Sequence, residues 1–145
     1  MNVDKVLKLA DFLDNLPEKY WDFGKIMACD ELYFEETVSH NFQEEPNCGA
    51  VGCAVGWAPA AFPDELMWHN NNVKLRQLKS FRLLDSFCMS FASVAEVLDF
   101  DGKQMMVFTS GPDYWKGFSY EDITPKMVAE KLRELAEANR KDNVT

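Results

Sequence analysis

The sequence predicts a mainly α-helical fold: a compact single-domain bundle around one central, buried helix of small residues. Three observations favour this prediction. The 145 residues are 47% hydrophobic and 13% aromatic, which is enough for one core without disulfides or a metal. Apolar residues recur at three- and four-residue intervals in the first, middle and last segments. The fifteen residues CGAVGCAVGWAPAAF, at 48–62, carry no charge, as a fully buried segment requires.

We expect one domain over residues 1–145: an acidic first third (1–47), a helical core (48–139) and a fraying tail (140–145). The first helix is predicted between a cap at Asn2 and the proline at position 17. Its apolar face comprises Val3, Val6, Leu7, Ala10, Leu13 and Leu16. Aromatic and acidic residues then alternate without a clear period, which leaves room for a small β element within 20–47.

The uncharged stretch predicts the central helix, over about residues 49–58. At about 100° of rotation per residue, the smallest side chains fall on one narrow stripe. That stripe comprises Gly49, Gly52, Cys53, Gly56 and Ala60. Because glycine inside a helix costs about 0.5–1 kcal/mol relative to alanine, we expect a neighbouring backbone to pack into this groove. Pro59 disfavours helix at Ala58, where the helix is predicted to stop or kink.

The second half predicts a loop followed by a helical hairpin. Residues 63–74 are rich in asparagine and predict a loop. Apolar spacing then predicts a helix from Leu75 to Leu98, either continuous or broken near Ser80 or Asp85. Asp101 is expected to cap a second short helix that runs through Phe108.

A turn-rich segment and a last helix follow. The segment at 110–122 contains four aromatic residues, which either plug the core from a loop or form an exposed binding patch; the core plug is favoured. They are Tyr114, Trp115, Phe118 and Tyr120. Thr124 and Pro125 predict the start of the last helix, which runs to about Asn139.

The charge is concentrated in the first third of the chain. The net charge is −9, and residues 1–47 contribute −7 of it, with 11 acidic and 4 basic residues. This balance argues against direct binding to nucleic acid or to anionic membranes, because both need a basic surface. A basic partner protein fits better.

Six acidic residues are the candidate contacts for such a partner. They are Asp30, Glu31, Glu35, Glu36, Glu44 and Glu45. One interpretation is a solvated acidic face. The sharper hypothesis is that these carboxylates imitate a run of phosphates and occupy a basic groove on another protein.

The cysteines and histidines define an alternative reactive or ligand site. Its residues are Cys48, His40, His69 and Trp57. Cys48 is its candidate nucleophile, because a predicted helix start there lowers the pKa of a thiol. On a helix, however, Cys48 and Cys53 would diverge by about 140° and about 7.5 Å, which disfavours a shared metal ion. We therefore predict neither a metal nor a cofactor, and expect reduced, buried cysteines instead.

Targeting signals are absent from the pattern of the sequence. No basic segment precedes an apolar run with a small-residue cleavage site, and no apolar stretch approaches the roughly 20 residues of a spanning helix. A cytoplasmic location is expected.

Three blocks of the chain resemble a family of small, mostly uncharacterised proteins of bacteria and their phages. The family pattern is a Cys-Gly-Thr-x-x-Cys-x-x-Gly-Trp core, an Ala-x-x-Leu-Gly-Leu helix end, a Leu-Phe helix and a last helix opened by Thr-Pro. The matching residues are Cys48, Gly49, Cys53, Gly56, Trp57, Leu98, Phe108, Thr124 and Pro125. Ala50 stands in place of the threonine, and Asp99 and Phe100 in place of Gly-Leu. The resemblance implies a mainly helical fold and a phage or mobile-element setting, and no reaction.

Three functional hypotheses follow. The first is a non-enzymatic phage or mobile-element protein, in the cytoplasm of a bacterial host, that binds and inhibits a basic host protein through its acidic residues. The second is a small cysteine-containing enzyme or a protein that sequesters a ligand. The third is a minor structural or assembly protein that associates through the aromatic segment near residue 115.

Overall fold

The computed structural model of the protein describes residues 1–23, 27–28, 51–69, 72–76, 89–108, 115 and 117–143. Helices within these ranges are α1 (Val3–Asp14), α2 (Ala54–Ala61), α3 (Met89–Leu98), α4 (Gly102–Met105) and α5 (Pro125–Asn143). Two antiparallel strand pairs accompany them: β1 (Met27–Ala28) with β2 (Val51–Gly52), and β3 (Leu66–His69) with β4 (Asn72–Leu75). The fold is mainly helical with small β elements, as predicted, and β1 lies within 20–47.

The first and last helices pack against each other, and both begin with the caps that the sequence predicts. Asn2 Oδ1 accepts a hydrogen bond from the Lys5 amide at 3.2 Å, and Thr124 Oγ1 accepts one from the Met127 amide at 3.2 Å. The buried faces comprise Val6, Leu9, Ala10 and Leu13 of α1, with Val128, Ala129, Leu132 and Ala136 of α5.

An arginine clamp links the polar edges of these two helices. Arg133 Nη2 donates to Asp11 Oδ1 at 2.9 Å and also to Asp14 Oδ2. These two carboxylates, Asp14 first, raise the pKa of the Arg133 guanidinium above its usual value. The helix α5 continues to Asn143, so the predicted end at Asn139 was too early. Arg140 and Lys141 lie in its last turn, where positive charge favours the helix.

The central helix is buried, as predicted, but its limits differ from those predicted. All eight residues of α2 are buried. It does not begin at residue 49, because Val51 and Gly52 pair with β1 and Cys53 occupies the N-cap. Glycine-rich sequence has low helix propensity, and the strand pair supplies the backbone hydrogen bonds instead.

The proline does not end the central helix. Pro59 lies inside α2, which runs through the predicted stop at Ala58 to Ala61. The Phe62 amide donates to the Ala58 carbonyl at 2.8 Å, so the turn after the proline keeps its hydrogen bond. Of the predicted glycine stripe, only Gly56 and Ala60 lie within the helix. A backbone packed into the groove stays a prediction.

A hairpin replaces most of the loop predicted at 63–74. Its register pairs Leu66 with Leu75 and His69 with Asn72, so two residues, both Asn, separate the strands. Leu75, predicted to open a long helix, is therefore the last residue of β4. The Val73 amide donates to the buried Ser90 Oγ at 2.9 Å, which ties the hairpin to α3. Residues 77–88 lie outside the described ranges.

The predicted helical hairpin is confirmed at α3 and α4. Asp101 and Gln104 form a capping box: each side-chain oxygen accepts a hydrogen bond from the other's amide at 2.8 Å. A 3-10 turn, Met106–Phe108, continues α4 as the sequence predicts.

The aromatic segment divides between core and surface. Trp115 is buried and its indole N–H donates to the Val107 carbonyl at 2.9 Å, so the predicted core plug is confirmed for this residue. For Phe118 it is wrong, because this side chain is 49% exposed. The side chains of Tyr114 and Tyr120 lie outside the described part of the structure.

We predict that Leu132→Ala lowers the free energy of unfolding by about 3 kcal/mol, because it opens a cavity in the fully buried face of α5. The exposed Glu130→Ala in the same helix is the matched control and should change it by less than about 0.5 kcal/mol. Urea unfolding of both variants measures the difference. Equal losses would contradict the packing described here.

Candidate functional site

The predicted site residues fall mainly outside the described ranges. All six candidate acidic contacts lie there, from Asp30 to Glu45, as do Cys48 and His40. His69 is the last residue of β3, and only its backbone is described. Trp57, in α2, is the one predicted site residue whose side chain can be placed.

The first strand pair brings together both ends of the segment that holds the acidic contacts. Met27 pairs with Gly52 and Ala28 with Val51, so the connection 29–50 leaves and re-enters the fold at one place. This connection, called the acidic segment below, has six acidic residues and no lysine or arginine among 22 residues. The rest of the chain holds 18 acidic and 15 basic residues. Two thirds of the net charge therefore belongs to one connection with fixed ends.

The base of the acidic segment, which is the β1–β2 pair, is continuous with the buried centre of the fold. β2 leads directly into Cys53, whose carbonyl accepts a hydrogen bond from the Trp57 amide at 3.0 Å. β2 also contacts the 3-10 turn Glu18–Tyr20. The ends of the acidic segment are thus anchored by core residues.

Trp57 is the main anchor of this base. Its side chain is fully buried, and its indole N–H donates to the Tyr20 carbonyl at 2.7 Å. The Tyr20 ring meets it edge to face, with ring centroids 6.2 Å apart. The indole ring therefore packs in the core, and its N–H group, the one polar group of the side chain, is hydrogen-bonded to the backbone. No signal in the sequence pairs Trp57 with Tyr20, which is 37 positions away.

Cys53 occupies the start of the central helix, the position predicted for Cys48. Burial raises the pKa of the Cys53 thiol from 9.0 to about 11. The amides of Gly56 and Val55 oppose this shift, and the Asp22 carboxylate adds to it slightly. Because a protonated thiol is a poor nucleophile, Cys53 acts at neutral pH as a small apolar residue. The helix-start argument for a reactive Cys48 fails, since α2 begins six residues later.

A row of aromatic side chains runs from the base of the acidic segment to the surface. The Trp21 indole donates to the Ile123 carbonyl at 2.7 Å, and its ring lies 6.3 Å from that of Phe23. Phe23 lies 5.9 Å from Trp115, and Trp115 lies 6.5 Å from Phe118. The row thus connects the chain just before β1 with the exposed turn at 117–119.

The described residues show neither a cluster of metal ligands nor a membrane-spanning helix. Among the described residues, no three His, Cys, Asp or Glu side chains lie together as a metal ion would require. No helix in that part of the chain combines the length and apolar character needed to cross a membrane.

Comparisons with protein-family models, with curated proteins and with solved structures find no match.

We predict that Trp57→Phe lowers the free energy of unfolding by about 2 kcal/mol, because the buried Tyr20 carbonyl loses its donor and the smaller ring leaves a void. Trp21→Phe is the matched control, since its indole also donates to a carbonyl but is only half-buried. Water can replace that donor, so its loss should be smaller. Chemical denaturation ranks the two variants, and the reverse ranking would contradict the anchoring role of Trp57.

We predict a pH-dependent stability that originates at Cys53. Between pH 9 and pH 11 the thiol ionises in the unfolded chain but stays protonated in the folded one, so stability falls as pH rises. Two pH units correspond to a loss of about 3 kcal/mol. Because Cys53→Ala lacks the titrating group, the stability difference between the two proteins should change by this amount over the window. A difference that is independent of pH would refute the raised pKa.

Proposed function

We propose that the protein is a non-enzymatic phage or mobile-element protein that binds and inhibits a host protein. The acidic segment is its contact surface, and the partner carries a basic groove that ordinarily receives nucleic-acid phosphates. The observation that carries this proposal is the charge of −6 in one 22-residue connection whose ends meet at the β1–β2 pair.

The electrostatics of such a segment favour binding to a basic surface. Within the segment no lysine or arginine neutralises the six carboxylates, so they repel one another. A basic partner relieves that repulsion and is steered towards the segment before contact. Exposed charges are screened over about 8–10 Å at physiological salt, so the binding should weaken as salt rises.

Acidic residues elsewhere show a different pattern. Several described carboxylates have a basic partner within the chain: Lys5 pairs with Glu65 at 2.6 Å, and Arg133 pairs with Asp11 at 2.9 Å. Each pair joins two distant parts of the chain, and in each a basic side chain neutralises a carboxylate. Outside the acidic segment the 18 acidic and 15 basic residues nearly balance, as expected where charged side chains form ion pairs within the fold.

The phage setting, the cytoplasmic location in a bacterial host and the inhibitory outcome belong to the same proposal. They are supported by the resemblance of residues 48–138 to small phage and bacterial proteins, on the motifs given above. That resemblance begins at Cys48 and so excludes all six acidic residues of the acidic segment, which are the part expected to differ between proteins with different targets.

We predict that neutralising the acidic segment strongly weakens partner binding while the fold is retained. The variant Asp30→Asn, Glu31→Gln, Glu35→Gln, Glu36→Gln, Glu44→Gln and Glu45→Gln should bind a basic host protein at least about tenfold more weakly. The matched control removes six exposed carboxylates elsewhere: Glu18→Gln, Asp64→Asn, Glu96→Gln, Glu130→Gln, Glu134→Gln and Glu137→Gln. It should retain binding within about twofold, since its charges lie outside the contact.

Affinity capture from bacterial lysate at low and high salt, followed by titration of the captured protein, measures both variants. Equal loss in the two variants would show that only overall charge matters. Unchanged binding in the neutralised segment would refute the proposal.

A further inference from the structure

Phe118 is held in an exposed position by a defined turn. Its side chain is the large exposed hydrophobic of the described residues, at 49%. The Phe118 amide donates to the Trp115 carbonyl at 3.0 Å, and Gly117 adopts a φ of 87°, which favours glycine. On the other side, Ser119 donates from both its amide and its hydroxyl to Asp122 Oδ2. Hydrogen bonds on both sides therefore fix the residue.

The ring of Phe118 keeps at least one face free of its aromatic neighbour. Trp115 lies at 6.5 Å with an interplanar angle of 88°. In such an edge-to-face pair, Trp115 covers either the edge of the Phe118 ring or one of its two faces. Trp115 is itself fixed by its hydrogen bond to Val107. The backbone that carries Phe118 is thus preorganised, which lowers the entropic cost of binding through its ring.

The charges around this ring favour a cation. Glu121 and Asp122 are exposed on the same turn, and no lysine or arginine occurs among the described residues of 115–125. Lys116 lies outside the described residues. An aromatic face attracts cations through its quadrupole, and a nearby carboxylate adds to this attraction.

We propose that Phe118 and Glu121 receive an arginine side chain of the basic partner. The guanidinium stacks on the open face of Phe118 and pairs with the Glu121 carboxylate. Arginine fits better than lysine, because its plane matches the ring and its forked donors match a carboxylate. This inference rests on the proposed function and specifies one anchor of the same interface.

The position of Phe118 agrees with a shared interface. Ring-to-ring steps of 6.5 Å and 5.9 Å connect it through Trp115 to Phe23, four residues before β1. The acidic segment begins directly after β1. A partner that covers the base of the acidic segment therefore lies within reach of Phe118. An aromatic anchor beside a charged region is a common arrangement at interfaces, where the charges accelerate encounter and the anchor slows dissociation.

The test uses two defined probes, acetylated peptides of nine arginines and of nine lysines, titrated into the full-length protein by calorimetry. Phe118→Ala should weaken arginine-peptide binding about threefold and lysine-peptide binding distinctly less, because only the guanidinium stacks on the ring. Glu121→Gln should have the same selective effect, and the exposed Glu130→Gln is its matched control. Circular dichroism confirms that each variant folds.

The outcomes separate this inference from the proposed function. The proposed function is supported if the six-residue neutralised variant binds neither peptide. The inference is supported if Phe118→Ala and Glu121→Gln lose only the preference for the arginine peptide. If Phe118→Ala affects both peptides equally or neither, or if the native protein binds no arginine peptide, the inference is overturned. A native oligomer that Phe118→Ala dissociates would instead assign the ring to a second copy of the chain and also overturn it.

Discussion

The complete burial of the helix Ala54–Ala61 constrains the rest of the structure. A helix with no solvent-facing side must be covered on every side, and its contacts include α1, α3 and both strand pairs. Small side chains let these elements approach closely, and Trp57 supplies the one large group, which fixes Tyr20 through its indole N–H. Two of the surrounding elements are also joined by a buried hydrogen bond, from the Val73 amide of β4 to the Ser90 hydroxyl of α3.

Acidic residues serve two different purposes in this chain. In the described helices they form links such as Arg133 with Asp11 and Asp14, in which each charge has a partner. Along 29–50 they accumulate without any lysine or arginine. Repulsion between these carboxylates lowers the stability of the protein, and binding to a basic partner would relieve it. Most of the charge imbalance of the chain thus lies in residues 29–50.

Local signals in the sequence predict the helices at the two ends and the α3–α4 hairpin, because α1, α4 and α5 each have their own cap and α3 has apolar spacing. The start of the central helix is not predicted, because Val51 and Gly52 pair with Ala28 and Met27 of β1, which lie 23 and 25 positions earlier in the chain. The β3–β4 hairpin was missed because four-residue strands are too short to establish a period. For the site, composition identifies the acidic residues, whereas the contact of Trp57 with Tyr20 depends on tertiary packing alone.

The β1–β2 pair also brings the two ends of the connection 29–50 to adjacent points of the fold. A connection that leaves and returns at adjacent points can be lengthened, shortened or exchanged without rerouting the backbone, and the entropic penalty grows only slowly with its length. A protein with the proposed function would therefore be able to change its target through substitutions in residues 29–50 while the helical framework stays the same.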